Sequence, residues 1–221
     1  GEHDVVNLGQ GFPDFGWPDD VVEKAGDALR TGSNQYPPMR GLPALPKAVA
    51  EHYARHQGLH VAPDEVTVTS GATEALAASI LALVKPGDEV LLFQPHYEAY
   101  LPLVQRAGGV ARLARLSPPD WRLTAEVIEE GFTERTRMVI FNNPHNPTAR
   151  AFDEEELARL AEACVRHDAV AISDEVWEHV RFDGRRHVSL SSLPGMAERT
   201  VKVGSAGKIF SLTGWKVGWT I

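Results

Sequence analysis

Ala169-Val170-Ala171-Ile172-Ser173-Asp174-Glu175-Val176-Trp177 decides the architecture. Its first five residues are apolar with little alternation, the mark of a strand covered on both faces. An acid follows at once. Parallel strands place ligands at their C-terminal ends, so Asp174 is positioned to act on whatever the fold binds; the plainer reading is a turn aspartate capping the next element. Outward from this run, short β-rich segments alternate with amphipathic helical ones from residue 60 onward, which predicts an α/β fold with a mainly parallel sheet. Strands are expected at Val66–Thr69, Glu89–Phe93, Val110–Leu116, Met138–Asn142, Ala169–Ser173, Thr200–Gly204 and Val217–Ile221. Helical patterns cover 73–84, 97–107, 124–131 and 153–167, the last opened by a capping box of Asp153 and Glu156.

The first sixty residues differ in kind. Pro18 opens a helix ending near Gly32, Tyr36-Pro37-Pro38 and Gly41-Leu42-Pro43 form an irregular crossing, and a second helix stops at Gly58. Residues 1–36 read as an arm outside a sheet domain spanning 37–221. The chain begins without methionine and stops at Ile221 inside an expected strand, so it reads as part of a longer protein.

Thirty acidic residues against twenty-two basic ones give a net charge of −8, with no basic cluster, which argues against a nucleic-acid partner. No apolar run approaches a membrane span, and the N-terminus lacks the features of an export signal. The single cysteine, Cys164, lies on the apolar face of a helical pattern, where inert packing is expected. A cytoplasmic setting fits these features. No cysteine pair or His-Glu-x-x-His run suggests a metal. Gly204-Ser205-Ala206-Gly207-Lys208 has the wrong glycine spacing for a P-loop and is followed by Ile209.

Four further segments carry chemistry-bearing residues. In Ser205-Ala206-Gly207-Lys208-Ile209-Phe210-Ser211-Leu212-Thr213-Gly214-Trp215-Lys216, a lysine sits among small residues, beside hydroxyls and a second cation. Such an amine can condense with a carbonyl, although a Gly-Lys pair alone also suits a surface turn. Ser70-Gly71-Ala72-Thr73-Glu74-Ala75 joins a strand to a helix whose free N–H groups could hold a phosphate. Asn142-Asn143-Pro144-His145-Asn146-Pro147-Thr148 has the composition of a loop. Pro95-His96-Tyr97 follows a strand and places an aromatic at the start of a helical pattern, where core packing is the plainer reading.

Together, in this order and over nearly the whole chain, these segments resemble the fold type I pyridoxal-phosphate-dependent aminotransferases of class I/II. The similarity is to the kynurenine aminotransferase, cysteine-conjugate β-lyase and methionine aminotransferase group. Gly9-Gln10-Gly11-Phe12-Pro13-Asp14-Phe15 and Asn34-Gln35-Tyr36 complete the match. The resemblance implies a three-layer α/β/α large domain with an N-terminal arm, and a small C-terminal domain that this chain lacks. It implies pyridoxal 5′-phosphate held through Lys208, with Asp174 on the ring nitrogen, Tyr97 stacked on the ring and Asn146 on the phenolate oxygen and substrate carboxylate. Gly71, Ala72, Thr73, Ser205 and Lys216 would cradle the phosphate. Gly11 would line the substrate pocket, and Tyr36 would reach the phosphate of a neighbouring subunit in a homodimer.

Two positions depart from the family pattern. Trp177 stands where a tyrosine hydroxyl usually bonds the phenolate, and an indole N–H can donate but not accept. Ala149 replaces a glycine, which is costly if its φ is positive. The carboxylate-binding arginine of relatives belongs to the C-terminal region. The implied reaction moves an amino group from an aromatic or sulfur-containing L-amino acid (kynurenine, methionine or glutamine type) to a 2-oxo acid, with Lys208 as base and then acid. A β-eliminating lyase acting on cysteine conjugates and a non-catalytic fragment are the alternatives. Elimination would need no amino acceptor.

Overall fold

The computed structural model describes residue 11, residue 13 and residues 15–221; Gly9, Gln10, Phe12 and Asp14 lie outside the described residues. Seven strands, β1 (Thr67–Ser70), β2 (Glu89–Gln94), β3 (Val110–Arg115), β4 (Thr136–Asn142), β5 (Val170–Asp174), β6 (Thr200–Ser205) and β7 (Val217–Thr220), form one sheet. Their order is β1-β7-β6-β5-β4-β2-β3, with β7 antiparallel to both neighbours and every other pairing parallel. The helices are α1 (Asp19–Thr31), α2 (Ala44–Gln57), α3 (Gly71–Leu83), α4 (Tyr100–Arg106), α5 (Ala125–Gly131), α6 (Glu154–Arg166) and the single turn α7 (Ala206–Ile209).

All seven expected strands are present, with no end displaced by more than two residues. The two-residue side-chain period of the strands sorts the core into two layers. Leu91, Phe93, Val139, Phe141 and Ala171 face α6, packing on Leu157, Leu160 and Cys164. Val90, Leu92, Met138, Ile140 and Ile172 face the opposite side, with Leu76 and Ile80 of α3 and Tyr100 and Val104 of α4. Burying each such aliphatic side chain contributes about 1.5–3 kcal/mol. A sheet apolar on both faces needs helices on both, which gives the three-layer α/β/α order. Cys164 lies in this core, and burial pushes its thiol up to about 12, so it is inert.

Local signals explain the helix ends. Thr124 accepts from the Val127 N–H ahead of α5. Asp153 and Glu156 form the reciprocal box that starts α6. Gly58 ends α2 in the left-handed conformation, φ 68°. One boundary needs correction: the helix expected from residue 97 starts at Tyr100. The Tyr100 N–H instead bonds the Tyr97 carbonyl in a preceding turn, at 3.2 Å. Helix α1 buries none of its residues against the rest of the chain.

Candidate active site

Three neighbouring strands end together. Asn142 of β4 is in register with Asp174 of β5, and Asp174 with Val203 of β6. Two residues on, β6 ends at Ser205 and turns into α7, which carries Lys208. Across the sheet, β7 brings Gly218 against the first turn of α3. These ends enclose a cleft of about 550 Å³ lined by Gly11, Gly71, Ala72, Thr73, Tyr97, Asn146, Asp174, Trp177, Ser205, Lys208 and Lys216. Every site residue expected from the sequence is therefore in one cleft except Tyr36, which is 99% exposed on the chain surface.

Asp174 is buried, and burial raises its carboxyl pKa. Hydrogen bonds oppose that shift: Oδ2 accepts from the Tyr100 hydroxyl at 2.6 Å and Oδ1 from the Val176 N–H at 3.3 Å. Glu175 beside it pushes the same way as burial, and the Lys208 ammonium pushes against it. A group carrying a positive N–H is the partner such a carboxyl lacks.

Lys208 extends its Nζ to the Gly11 carbonyl at 2.8 Å and lies 4.5 Å from the Trp177 ring centroid. Partial burial lowers its pKa, Asp174 resists this, and Lys216 adds to it. The amine is thereby biased toward the neutral, nucleophilic form.

The phosphate end is built by backbone. The first N–H groups of a helix have no intrahelical partner, and Ser70 supplies no side-chain cap to α3. Gly71 has φ +74°, and a Cβ there would come within 3.2 Å of Lys216 Cε and 3.3 Å of its Nζ. A Cβ on Gly218 would sit 2.5 Å from the Gly71 carbonyl carbon and 2.6 Å from the Ala72 nitrogen. Both positions accept only glycine without rearrangement. Lys216 itself is left-handed, φ 56°, which turns its side chain back over the start of α3.

The loop after β4 is pinned from within. Asn142 Nδ2 donates to the Asp174 carbonyl at 2.8 Å, and its Oδ1 accepts the Asn146 N–H at 2.6 Å. His145 is held neutral by burial, its pKa lowered to about 4, and its Nδ1 lies 2.7 Å from the Thr148 hydroxyl. Ala149 has φ +59°, so the alanine does occupy a conformation that suits glycine.

Behind Trp177 lies a buried ionic cluster that the sequence reading did not find. Lys202 donates to Glu175, and to Glu178 at 2.9 Å. Glu175 Oε1 also accepts from Ser173 at 2.8 Å and Ser189 at 2.9 Å, while Oε2 meets His187 at 2.5 Å. Glu178 accepts from the Tyr53 hydroxyl at 2.8 Å and from Gln57 at 2.5 Å. The cluster fixes the turn that presents Trp177. Its sequence signal was Lys202, a charge inside an apolar strand, which is seldom buried without a paired acid. Tyr100 and Asn142 were also missed as site residues, because a strand-end amide and a core tyrosine look ordinary in sequence.

An anion cradle at one end, two ammonium groups, a buried carboxyl and the Tyr97 and Trp177 rings form a donor set that fits a flat, phosphorylated, ring-nitrogen aldehyde. Comparison with known proteins agrees. The family described as aminotransferase class I and II matches residues 3–221. The probable N-succinyldiaminopimelate aminotransferase DapC of Mycobacterium tuberculosis is 48% identical over 219 residues, 97% of this chain and 55% of that one. The methionine aminotransferase of Escherichia coli is 42% identical over 221 residues, 100% of this chain and 57% of that one. The solved structure of the M. tuberculosis N-succinyldiaminopimelate aminotransferase superposes with a TM-score of 0.93 at 47% identity, over 96% of this chain and 56% of that one. The chain thus spans about half the length of the curated relatives it matches. Its sequence, its sheet and its cleft place it in the class I and II aminotransferases, a family of pyridoxal-phosphate-dependent enzymes.

Proposed function

We propose that this chain is the cofactor-binding part of an aminotransferase that moves the amino group of an aromatic or sulfur-containing L-amino acid to a 2-oxo acid. The observation that carries this reading is the shared cleft: a partly buried lysine and a buried carboxyl face the same space as a glycine-built anion cradle. Pyridoxal phosphate, when bound, supplies an electron sink for the substrate carbanion. Gly71, Ala72, Thr73, Ser205 and Lys216 hold its phosphate, and Tyr97 and Trp177 hold its plane. Asp174 keeps the ring nitrogen protonated, and Tyr100 keeps Asp174 in place. The Lys208 amine would serve as the base for the substrate α-proton and, once protonated, as the acid. Its lowered pKa suits both roles. Asn146 orients the substrate carboxylate from one side.

The likeness to the methionine aminotransferase of Escherichia coli supports a thioether substrate, and no arginine lines the cleft among the described residues. A homodimer in a cytoplasmic setting is part of the same reading. Helix α1 buries no residue of its own, and Tyr36 and Met39 are exposed at 99% and 100%, as surfaces that a second copy covers would be.

The test is the visible absorption of the purified chain with pyridoxal phosphate, for wild type and Lys208→Ala, before and after borohydride. A lysine-dependent band that borohydride fixes covalently at Lys208 is expected. A spectrum indifferent to Lys208 would refute the assignment. With the band established, turnover of methionine and kynurenine with 2-oxoglutarate tests the substrate class.

A further inference from the structure

Away from the cleft, three imidazoles converge where α2 meets the turn after Trp177. His52 and His56 are four residues apart on α2 and so share a face. The His52 and His179 Nε2 atoms are 2.9 Å apart, with ring centroids at 4.9 Å. The His56 ring stands 4.6 Å from that of His52 and 6.2 Å from that of His179. One potential ligand atom from each of His52, His179 and Glu178 lies within 4.8 Å of the others.

We propose that His52 and His179, with His56 as a third imidazole, bind one divalent transition-metal ion of the zinc, nickel and copper class. Two nitrogens bonded to a tetrahedral zinc at about 2.0–2.1 Å are about 3.3 Å apart, so a small ring movement converts the present pair into two ligands. As a hydrogen-bonded pair, the two nitrogens share one proton. With a metal between them, both lone pairs are used. Burial lowers the pKa of both imidazoles, that of His179 to about 4, so they are neutral and competent to ligate at neutral pH.

The surroundings select the class of ion. Glu178 supplies negative charge, but its oxygens already accept from Tyr53, Gln57 and Lys202. Arg55 acts on His52, and Arg181 on His179, as nearby positive charge. A hard cation bound by charge alone gains little there, whereas an ion with strong affinity for nitrogen does. The neighbouring Glu175, Glu178 and His187 group shows the contrast. Lys202 already fills that position with its own ammonium.

An ion at His52 and His179 ties α2 to the turn that presents Trp177. The experiment uses the chain without an affinity tag, stripped with chelator, in the absence of pyridoxal phosphate. Zinc is titrated calorimetrically, and the zinc-loaded protein is examined by X-ray absorption. One ion per chain is expected, with at least two imidazole nitrogens at about 2.0–2.1 Å, while magnesium gives no heat. His52→Ala and His179→Ala should each weaken zinc binding by at least about a hundredfold, the upper end of what the loss of an outer-shell partner costs, and His56→Ala by less. No binding at about 100 μM zinc, an oxygen-only shell, or affinity unchanged in both variants would overturn the proposal. The absorption measurement on wild type decides the matter even if a variant fails to fold.

Discussion

Replacing Lys202 by methionine keeps the length of the side chain and removes its charge. The side chain is 2% exposed, and it stands between Glu175 and Glu178, exposed at 1% and 0%. Its ammonium also lies 4.7 Å from the Tyr53 ring centroid. Removing one partner of a buried ion pair costs about 3–5 kcal/mol, because the stranded charge cannot regain water. Glu175 would keep Ser173, Ser189 and His187, and Glu178 would keep Tyr53 and Gln57, so the whole desolvation cost of two carboxylates is not exposed. At about 2–4 °C per kcal/mol for a chain of this size, Lys202→Met should lower Tm by about 6–20 °C at pH 7.5. The pH dependence has a definite sign. In the wild type, Lys202 and His187 hold the Glu175 carboxyl well below the usual range despite burial, and Lys202 holds Glu178 down as well. That stabilisation is fully present above the unfolded carboxyl value of about 4.3 and is lost as pH falls toward the folded value. In the variant, burial is less opposed, the carboxyls titrate at higher pH, and acid relieves them. The gap between the two proteins should therefore narrow below about pH 5. Thermal melts by circular dichroism at pH 7.5 and 4.5 make the comparison, and Lys202→Met with Glu178→Gln should recover part of the loss. A shift under about 2 °C at pH 7.5, or a gap independent of pH, would refute the reasoning.

Three further outcomes are expected. Gly218→Ala forces its methyl into the backbone at Gly71 and Ala72, so it should displace the first turn of α3. It should weaken pyridoxal phosphate binding at least about tenfold, at an overpacking cost of about 1–3 kcal/mol; equal affinity by spectroscopic titration would contradict the cradle. Ala149→Gly relieves a φ of +59°, offset by greater chain entropy in the unfolded state. The net should lie between neutral and about 1 kcal/mol stabilising, and a clear drop in Tm would count against it. Trp177→Tyr restores a hydroxyl and removes the ring now 4.5 Å from the Lys208 amine. The pKa of the lysine-dependent visible band should fall, and superimposable titrations of wild type and variant would end that idea.

The strands were legible because β4 and β5 carry the unbroken apolar runs Met138–Phe141 and Val170–Ile172 between polar residues, so no amphipathic helix competes for the same residues. The site was legible for a different reason: Asp174 ends β5, Asn146 and Lys208 lie in the segments just after β4 and β6, and strand ends are where this architecture gathers its chemistry. Tyr97 misled the helix boundary because an aromatic before a helical pattern looks like core, whereas here it faces the cleft from a turn. Lys202, Glu175 and Glu178 were opaque for a deeper reason. Their pairing depends on β5 lying beside β6, a relation of the tertiary structure that no local pattern in either segment encodes.

The register of β4, β5 and β6 sets a ruler beneath the reaction. Asn142 and Asp174 are in register on neighbouring strands, Ser205 lies two residues past Val203, the partner of Asp174, and the sideways step between strands is about 4.8 Å whatever side chains they carry. The spacing of the Asn142 amide, the Asp174 acid and the strand end from which the Lys208 turn starts is thus a property of backbone hydrogen bonds, which point substitutions barely alter. Side chains of the exposed rim at 181–186 can then change without retuning the proton-handling groups. Side-chain exchange there should change what the protein accepts long before it changes what the protein does to it.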